Sequence, residues 1–340
     1  MRSRVLAAAV VTTLLAGAGA RPAPAQPAVT LGTNPPGTVF HAVGSGLAKV
    51  VTDAGALRVT IQPHTGSSTF LPLLDSGEME FGVNNAVDMA LAYRGPGFTI
   101  GGRNPFPHTP HVRLLTRGSP LMVALLVRRD SPIRTVHDVK GRRMAGEFPA
   151  HLAVWYNMFG HLATAGLHWS DVRVVPVPGI NEGMEALVQG RVDVHESALN
   201  AAMVREADAQ VGVRHISNDC SAAGEKRLRA AVPGYYPAWV KKGEAVAVTE
   251  DICVIAYDVY VTAGKGVPDG VAETMLRSVW ENADKLKPLH PVFKLWTRER
   301  MPTHDVTLPY HPGAVRFFKE RRLWTPEMER AQQQLLAPNP

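Results

Sequence analysis

The apolar positions in the N-terminal part of the chain form short runs that alternate with polar loops and helical stretches. Residues 29–49 give an apolar strand, a loop with Pro and Gly, and a helix. Residues 57–74 and 79–93 repeat this order of strand, polar loop and helix. Three such units in succession predict a parallel sheet covered by helices, which is an α/β fold. In sheets of this kind small ligands bind beyond the carboxyl ends of the strands.

A second group of units follows an irregular stretch. Residues 94–109, rich in Gly, Pro and Asn, predict a lid or a surface loop. Residues 121–127 (LMVALLV) are apolar at every position, which is typical of a strand covered on both faces. Further strands and helices are then predicted in alternation at 142–146, 151–165, 172–177, 182–188 and 192–195. The second group is therefore expected to mirror the first.

Two long extended segments bracket this second group and predict a hinge between two lobes. They cover residues 121–128 and 252–261, so the chain leaves the first lobe and later returns to it. Two crossings confine the movement of the lobes to a few residues, and a ligand can be trapped where the lobes close. The expected domains are a first lobe at 26–120 plus 262–340, a second lobe at 129–251, and hinge strands at 121–128 and 252–261.

The first residues have the order of a secretory signal peptide. Arg2 and Arg4 precede an uncharged run at 5–20, and the small-residue sequences Ala-Gly-Ala and Ala-Pro-Ala follow. The run is too short and too rich in Ala and Gly for a good membrane anchor, and no later segment has the roughly 20 apolar residues that span a bilayer. We therefore expect a signal peptide at 1–25 and an exported mature chain that starts near Gln26, without direct membrane insertion.

The charge of the mature chain argues against nucleic acid as a partner. The formal net charge of +6 falls to +3 when Arg2, Arg4 and Arg21 leave with the signal peptide. The remaining Lys and Arg residues are scattered among acidic residues, whereas nucleic acid binding requires a basic patch. We expect a small-molecule ligand and no nucleic acid.

The chain contains two cysteines, Cys220 and Cys253, and both remain after the signal peptide is removed. In an oxidising compartment they can form a disulfide. The alternative is two separate buried thiols that act as small apolar residues. The sequence leaves both readings open.

Polar residues gather at the ends of the predicted strands and form a candidate ligand site. They are Thr33, Asn34, Thr38, Ser67, Ser68, Asn84 and Asn85. Backbone amides around Gly37 and Val39 open a helix, where unpaired N–H groups and the helix dipole attract an anion without Lys or Arg. We predict that these amides and the hydroxyl of Ser67 or Ser68 hold the carboxylate of a small organic acid.

The other end of the ligand is expected to meet Glu147, Phe148 and Tyr236 when the lobes close. Glu147 at a strand end can accept a hydrogen bond from an amine or hydroxyl, and the alternative is a solvated loop acid. The aromatic side chains can stack on a ligand or belong to the core. Trp155 shares one helix face with apolar neighbours, which favours the core for that residue.

No pattern of catalytic or metal-binding residues emerges from the sequence. Of thirteen histidines, His108 and His111 are the only close pair, and no HExxH spacing occurs. A Gly-x-Ser-x-Gly elbow is also absent, and Ser67 lies in a Thr-Gly-Ser-Ser turn that needs no general base. We therefore expect no enzyme activity, no cofactor and no metal.

Several segments, in their order along the chain, resemble the TAXI family, the periplasmic solute receptors of tripartite TRAP transporters. The segments are LGTNPPGTVFHAVGSGLA, TGSSTFLPLLDSGEMEFGV, IRTVHDVKGRRMAGEF, EALVQGRVDV and LPYHPGAVRFFKERRLWTPEM, and the resemblance covers nearly the whole mature chain. It implies a two-lobed periplasmic-binding-protein fold, type II-like. Its loaded, closed form would deliver a small organic solute to a membrane permease, with transport driven by an ion gradient rather than ATP.

The resemblance also bears on individual residues. The first loop of the family matches residues 36–40, which adds Phe40 to the candidate contacts, and its Gly-Ser turn matches residues 66–68. Where the family often has Gln-x-Asp, this chain has Asn85 with Asp88 displaced by one position, a departure that argues against a standard amino acid as ligand. A small turn of the family is replaced by Gly-Glu-Phe-Pro-Ala-His, which predicts a bulkier pocket wall.

We therefore predict a monomeric periplasmic solute receptor of a TRAP-type transporter that binds a small organic acid or an amino-acid-like carboxylate in the cleft between its two lobes. Its expected partners are a small organic acid and the TRAP membrane permease subunits. Two alternatives stay open at this point: a periplasmic binding subunit that feeds a sensor, and a periplasmic hydrolase.

Overall fold

The computed structural model describes residues 26–337, so the predicted signal peptide at 1–25 lies outside the described residues. The strands of the described part are β1 (Ala28–Thr33), β2 (Arg58–Pro63), β3 (Phe81–Asn85), β4 (Arg113–Arg128), β5 (Arg143–Glu147), β6 (Arg173–Val177), β7 (His195–Ala198), β8 (Val213–His215), β9 (Tyr236–Val240) and β10 (Ile252–Ala263).

The α-helices of the described part alternate with these strands and then dominate the C-terminal region. They are α1 (Val39–Asp53), α2 (Ser67–Ser76), α3 (Ala86–Arg94), α4 (Leu152–Thr164), α5 (Ile180–Val188), α6 (Ala202–Val211), α7 (Ala222–Ala231), α8 (Asp269–Glu281), α9 (Ala283–Leu286), α10 (Pro312–Glu320) and α11 (Pro326–Leu336). We use "first lobe" for β1–β3 with α1–α3 and α8–α11, and "second lobe" for β5–β9 with α4–α7.

Parallel pairing builds the inner part of each lobe. In the first lobe β1 lies between β2 and β3 and is parallel to both, with Leu31 opposite Ile61 and Phe81. In the second lobe β5 and β6 form a parallel pair. Helices pack on these strands, as the alternating pattern of the sequence predicts. The α/β fold class is thereby confirmed.

Two long antiparallel strands, β4 and β10, run through both lobes. They pair from Arg113 opposite Ala263 to Val123 opposite Ile255. On the outer edges β10 pairs with β3 in the first lobe and with β9 in the second, while β4 pairs with β7 and β8. Both predicted crossings, 121–128 and 252–261, lie inside these strands. The predicted lobe boundaries themselves stay a prediction.

The central part of β4 is apolar because both of its faces are covered. Leu125, Leu126 and Val127 have no exposed surface. Strands buried on both faces consist of continuous apolar runs rather than alternating ones. The prediction from the run LMVALLV, a strand covered on both faces, is therefore confirmed for this part of β4.

One predicted strand begins later than the sequence pattern indicates. The pattern places a strand at 192–195, whereas β7 begins at His195 and continues to Ala198. Val192 and Val194 are buried, but only Val194 forms a bridge, to Met144 of β5. The true strand contains a buried Glu and a buried Ser, which interrupt the apolar pattern that would have marked it.

Cys220 and Cys253 form a disulfide, with their Cα atoms 6.1 Å apart. The bond ties the segment that follows β8 to the start of β10. It therefore anchors one of the two long strands within the second lobe. Separately, no helix of the described residues has the length and hydropathy needed to span a membrane.

Candidate functional site

The two lobes meet over a narrow, partly enclosed cavity. Its walls come from both lobes and from both long strands, which contribute Leu121 and Tyr257 among others. A concave junction between two parts of a protein is a common place for a small-molecule site. The cavity is therefore the candidate ligand site, at the junction where the sequence predicted one.

Four helices begin at this cavity. From their first turns, α1 contributes Val39 and Phe40, α4 contributes Ala153, α5 contributes Ile180 and α6 contributes Met203. First-turn N–H groups have no partner within their helix and carry partial positive charge. None of the described residues that line the cavity is Lys or Arg. The arrangement can therefore hold an anion with backbone amides and helix dipoles.

The structure brings four of the predicted residues to the cavity: Asn34, Thr38, Val39 and Phe40. The Thr38 hydroxyl donates to the carbonyl of Pro35 at 2.7 Å and accepts from the N–H of His41 at 3.2 Å. Its oxygen thus caps α1 and fixes the direction in which the helix begins. Thr38 thereby fixes the first turn of α1, whose residues Val39 and Phe40 line the cavity.

Asn34 links the two lobes at the edge of the cavity. Its Nδ2 atom lies 3.3 Å from Nε2 of His151, the residue that precedes α4. Because the amide nitrogen donates, Nε2 accepts and the proton of the imidazole lies on Nδ1. Burial lowers the pKa of His151 to about 4, so the ring is neutral near pH 7. Within residues 26–337, the Asn34 Oδ1 and His151 Nδ1 atoms have no hydrogen-bond partner.

Glu196 of β7 places a carboxyl group in the cavity wall. The side chain has no exposed surface, and its Oε1 atom accepts a hydrogen bond from Asn157 Nδ2 at 3.1 Å. Oε2 has no partner within the described part of the chain. Burial raises the pKa of this carboxyl to about 7. The sequence analysis did not identify Glu196 as a candidate.

A chain of hydrogen bonds connects Glu196 to the first lobe. The hydroxyl of Tyr235 donates to Asn157 Oδ1, and Asn85 Nδ2 lies 3.4 Å from the Tyr235 hydroxyl. The Tyr235 ring stacks on Tyr257, a cavity residue of β10, at 5.1 Å between centroids. Asn85 is predicted as a direct ligand contact. In the structure its side chain contacts Tyr235, which packs on the cavity residue Tyr257.

The predicted serines lie outside the residues that line the cavity. The Ser67 hydroxyl donates to Asp88 Oδ2 at 2.6 Å, and both side chains are buried. Burial raises the pKa of Asp88 to about 7, and the hydrogen bond from Ser67 opposes that rise. Asp88, the acid that is displaced by one position relative to the TAXI pattern, is thus the hydrogen-bond partner of Ser67. Ser68 has a buried hydroxyl that no group of the described residues pairs with.

Two further strand-end residues use their polar atoms within the first lobe, which corrects their expected role. Asn84 donates to Thr262 Oγ1 at 2.7 Å and so joins β3 to β10. Thr33 donates to the carbonyl of Asn34 at 3.1 Å and packs closely against Gly44 of α1. The side chains of Asn84 and Thr33 therefore contact the neighbouring strand β10 and helix α1, respectively.

Gly37 contacts the other lobe rather than the cavity. Its carbonyl accepts a hydrogen bond from the N–H of Met203 at 3.3 Å, and its φ of +90° is one that Gly adopts readily. With the pair Asn34 and His151, this bond joins the lobes on both sides of the cavity. The described structure is therefore the closed arrangement.

Glu147 and Phe148 form a strained turn, and neither lines the cavity. Their φ angles are +69° and +48°, values that residues other than Gly rarely adopt. The Glu147 side chain is exposed, whereas Phe148 is fully buried beside His195. The N–H of His151 donates to the carbonyl of Phe148 at 2.9 Å. The turn therefore sets the start of α4 and the position of His151 instead of covering a ligand.

Tyr236 was also expected over the ligand, but its hydroxyl lies 3.4 Å from Asp258 Oδ1. Asp258 of β10 also receives Arg117 at 3.3 Å and Arg300 at 2.7 Å. Burial, together with the nearby Asp258 carboxylate, raises the pKa of Tyr236 to about 12. This cluster lies where the pairing of β10 with β4 shifts register, between Asp258 and Tyr260.

The irregular stretch 94–109 contacts the second lobe beside the cavity. The Arg103 guanidinium lies 4.4 Å from the centroid of the Trp155 ring, and the Tyr156 hydroxyl donates to the carbonyl of Arg103 at 3.1 Å. Asn104 Nδ2 holds the loop through carbonyls of the first lobe, among them Gly95 at 2.8 Å. The stretch therefore joins the two lobes in the closed arrangement.

Residues of the second lobe form much of the cavity, and most of them escaped the sequence analysis. His151, Asn157, Ile180 and Glu196 all line it. Two signals were available: Glu196 lies in the polar sequence His-Glu-Ser, and Asn157 interrupts the apolar run of α4. Buried polar side chains in such positions need partners.

Metal-binding side chains do not cluster in the described structure. Among residues 26–337, no group of three or more His, Cys, Asp or Glu side chains is arranged to hold a metal ion.

Two lobes joined by two long strands, with a cavity at their junction, are the arrangement of the periplasmic-binding-protein fold. A solved structure described as a periplasmic transporter is similar over 92% of this chain and 97% of that chain, with a TM-score of 0.55 and 12% identity. Residues 31–321 match the model of the NMT1-like family, and the chain belongs to that family.

Structures of sulfonate-binding proteins are also similar to this chain. The aliphatic sulphonate binding protein SsuA from Escherichia coli matches with 15% identity and a TM-score of 0.46, over 93% of this chain and 94% of that chain. A putative sulfonate-binding SsuA from Methylobacillus flagellatus matches with 16% identity and a TM-score of 0.44, over 92% and 82%.

Proposed function

We propose that this protein is a periplasmic solute receptor that binds a small organic acid between its two lobes. The observation that carries the proposal is the convergence of four helix N-termini on a cavity that no described Lys or Arg lines. Aligned amides and dipoles stabilise negative charge without a cationic side chain. A carboxylate is the anion that we propose, because it can accept hydrogen bonds from these amides and from the Asn34 side chain.

Closure of the lobes around the solute completes the proposed binding step. The pairs Asn34 with His151 and Gly37 with Met203 form only when the lobes meet. A ligand that contacts both lobes therefore favours the closed form, because it adds contacts that the open form lacks. A receptor needs this difference so that its partner can distinguish the loaded from the empty protein.

The proposed partner is the membrane permease of a TRAP-type transporter. The resemblance of five segments to the TAXI family supports this choice, and the signal peptide predicted at 1–25 supports export to the periplasm. Transport would then use an ion gradient. Uptake of the bound acid into vesicles that contain the permease should stop when an ionophore collapses the gradient, and ATP should not restore it.

A thermal-shift screen tests ligand binding directly. The carboxylate panel consists of acetate, lactate, succinate, 2-oxoglutarate and benzoate, and lactamide and succinamide are the matched neutral controls. A ligand that binds only the folded protein raises its Tm. We expect at least one carboxylate to raise the Tm of the mature chain, its amide to have no effect, and NMR to show the acid unchanged after incubation.

The outcomes of that screen separate receptor from enzyme. Equal stabilisation by acid and amide would contradict an anion site at the helix N-termini. Consumption of the acid would contradict a receptor and favour an enzyme. Stabilisation without turnover supports the receptor.

A further inference from the structure

We propose that Glu196 is a neutral carboxylic acid in the closed protein and donates a hydrogen bond to the bound anion, so that the ligand is bound together with one proton. The inference rests on the proposed binding of an organic acid. It assigns the specificity of the cavity to a residue that distinguishes an anionic ligand from a cationic one.

The surroundings of Glu196 do not suit a carboxylate ion. The side chain is fully buried, and Asn157 Nδ2 is the one group of the described chain that donates to it. Buried carboxylates are ordinarily paired with Arg or Lys, and neither lines this cavity within residues 26–337. A neutral acid avoids the unfavourable free energy of an unpaired buried charge.

The hydrogen-bond pattern agrees with a neutral acid. Oε1 accepts from Asn157, as a carbonyl oxygen does, and Oε2 has no partner among the described residues. A protonated Oε2 carries a donor that requires an acceptor. A carboxylate ligand held by the nearby helix N-termini would provide that acceptor. An ionised Glu196 would instead place two negative charges in one small cavity.

No titratable group on the elements around Glu196 supplies a compensating positive charge. His151, which precedes α4, His161 of α4 and His195 of β7 are neutral, because burial lowers the pKa of each to about 4. Tyr257 of β10 and Tyr235 beside β9 are neutral, since burial raises the pKa of each well above its ordinary value. α3 brings Asp88, itself a buried acid whose pKa is raised to about 7. Opposite Glu196 in β4 lies Leu125, which is apolar.

The first experiment tests the proton without any ligand. The Tm of the wild type, Glu196→Gln and the control Glu185→Gln is measured between about pH 4.5 and 9; Glu185 is an exposed residue of α5. A buried acid with a raised pKa stabilises the fold at low pH, and this contribution is lost as pH rises from about 4.5 to about 7. We expect the Tm of the wild type relative to Glu196→Gln to fall by several degrees over that window and to stay constant above it. Glu185→Gln should show no such trend.

The second experiment measures calorimetric affinity for each member of the carboxylate panel between about pH 7 and 9. Wild-type affinity should fall about ten-fold for each pH unit, because the proton must be supplied from solution. Glu196→Gln keeps an N–H donor at the same place and should bind with an affinity that does not depend on pH.

The results distinguish this inference from the proposed function. A Tm difference that does not vary with pH would overturn the neutral Glu196. Carboxylate binding with the same pH dependence in wild type and Glu196→Gln would overturn its role in binding but leave the receptor intact. If no carboxylate binds at any pH, the organic acid is wrong as ligand, while the first experiment still decides the state of Glu196. Binding of an amine that strengthens with rising pH would overturn the inference.

Discussion

Asn34 and His151 meet across the gap between the lobes, with Asn34 Nδ2 at 3.3 Å from His151 Nε2. Both residues line the cavity, and they come from the first loop of one lobe and the start of α4 in the other. The hydrogen bond therefore exists only when the lobes are closed. It would couple the proposed anion site to closure of the lobes.

Removal of this bond should weaken ligand binding. Asn34→Ala deletes the donor to His151 and destabilises the closed form by about 1 kcal/mol, so affinity should fall roughly five-fold. Isothermal titration calorimetry with the acid found in the screen measures the change. Asn181→Ala, at an exposed position of α5, is the matched control and should bind as the wild type does. Unchanged affinity in Asn34→Ala would show that the bond has no part in closure.

A methyl group at Gly66 should hold the lobes apart. A Cβ atom there would lie 2.9 Å from His151 Cδ2 and 3.0 Å from the carbonyl oxygen of Ala150. The backbone of Gly66 is extended, with φ of −168°, so Ala causes no local strain. Gly66→Ala should therefore leave folding intact, increase the radius of gyration in solution scattering and weaken ligand binding.

Gly97→Ala is the control for that variant, because a Cβ atom at this exposed position meets nothing within 4 Å. It should scatter and bind as the wild type does. A compact Gly66→Ala protein with normal affinity would mean that the observed approach of the lobes does not control binding.

Acid should destabilise the folded protein. Burial lowers the pKa of four histidines to about 4, and these are His151, His161, His195 and His215. The unfolded chain binds protons on these rings below about pH 6.5, whereas the folded protein excludes them until about pH 4. Stability is therefore complete above about pH 7 and is lost over that window, by up to about 3 kcal/mol for each ring. Urea unfolding at several pH values measures the loss.

The raised pKa values of Asp88 and Glu196 stabilise the folded protein as the pH is lowered, which is the opposite effect. Because four histidines outnumber two acids, the free energy of unfolding should still decrease as the pH is lowered from about 7. His161→Gln should reduce the slope of the free energy of unfolding against pH by the equivalent of about one proton. His304→Gln, at an exposed position, should not change it. A urea midpoint that stays constant from pH 7 to 4.5 would contradict the neutral, buried histidines.

Loss of the disulfide should lower stability without removing the site. The bond joins residues 33 positions apart, and closure of such a loop is worth roughly 3 to 4 kcal/mol on the chain-entropy model. Reduction should therefore shift the urea midpoint downward. The double variant Cys220→Ala with Cys253→Ala should show the same midpoint with or without reductant, which serves as the control. A reductant effect in that double variant would point to a different cause.

Ser67→Ala should affect stability more than affinity. The substitution leaves Asp88 without its hydroxyl donor in a buried position, at a cost of about 1 to 3 kcal/mol. Urea unfolding should show this loss, while the affinity for the acid should change less than two-fold. Ser76→Ala, an exposed neighbour in the same helix, should change neither. A large loss of affinity without a loss of stability would show that Ser67 takes part in ligand binding.

Local patterns predicted those parts of the fold that local interactions determine. The alternation of strand and helix, the covered strand within β4 and the helix that follows the first Pro-Gly loop each depend on neighbouring residues. The same holds for Asn34, which lies directly after β1, and for Val39, which begins α1.

Contacts between distant segments determine the rest, and the sequence pattern does not contain them. Asn157 and Glu196 are 39 positions apart, and their hydrogen bond depends on how α4 packs on β7. Tyr236 looked like a ligand contact because it lies in a loop between Gly and Pro. Its actual partner, Asp258, lies on β10, the strand that returns from the second lobe to the first.

The long pairing of β4 with β10 restricts how the lobes can move relative to each other. A flexible linker would let the lobes separate in any direction, whereas rotation of one lobe here must twist two paired strands. The pairing is interrupted by register shifts at Asp258–Tyr260 and Val261–Thr262, and irregularities of this kind locally disrupt the hydrogen bonds between strands. Any twist of the two strands is therefore expected to concentrate at these two positions.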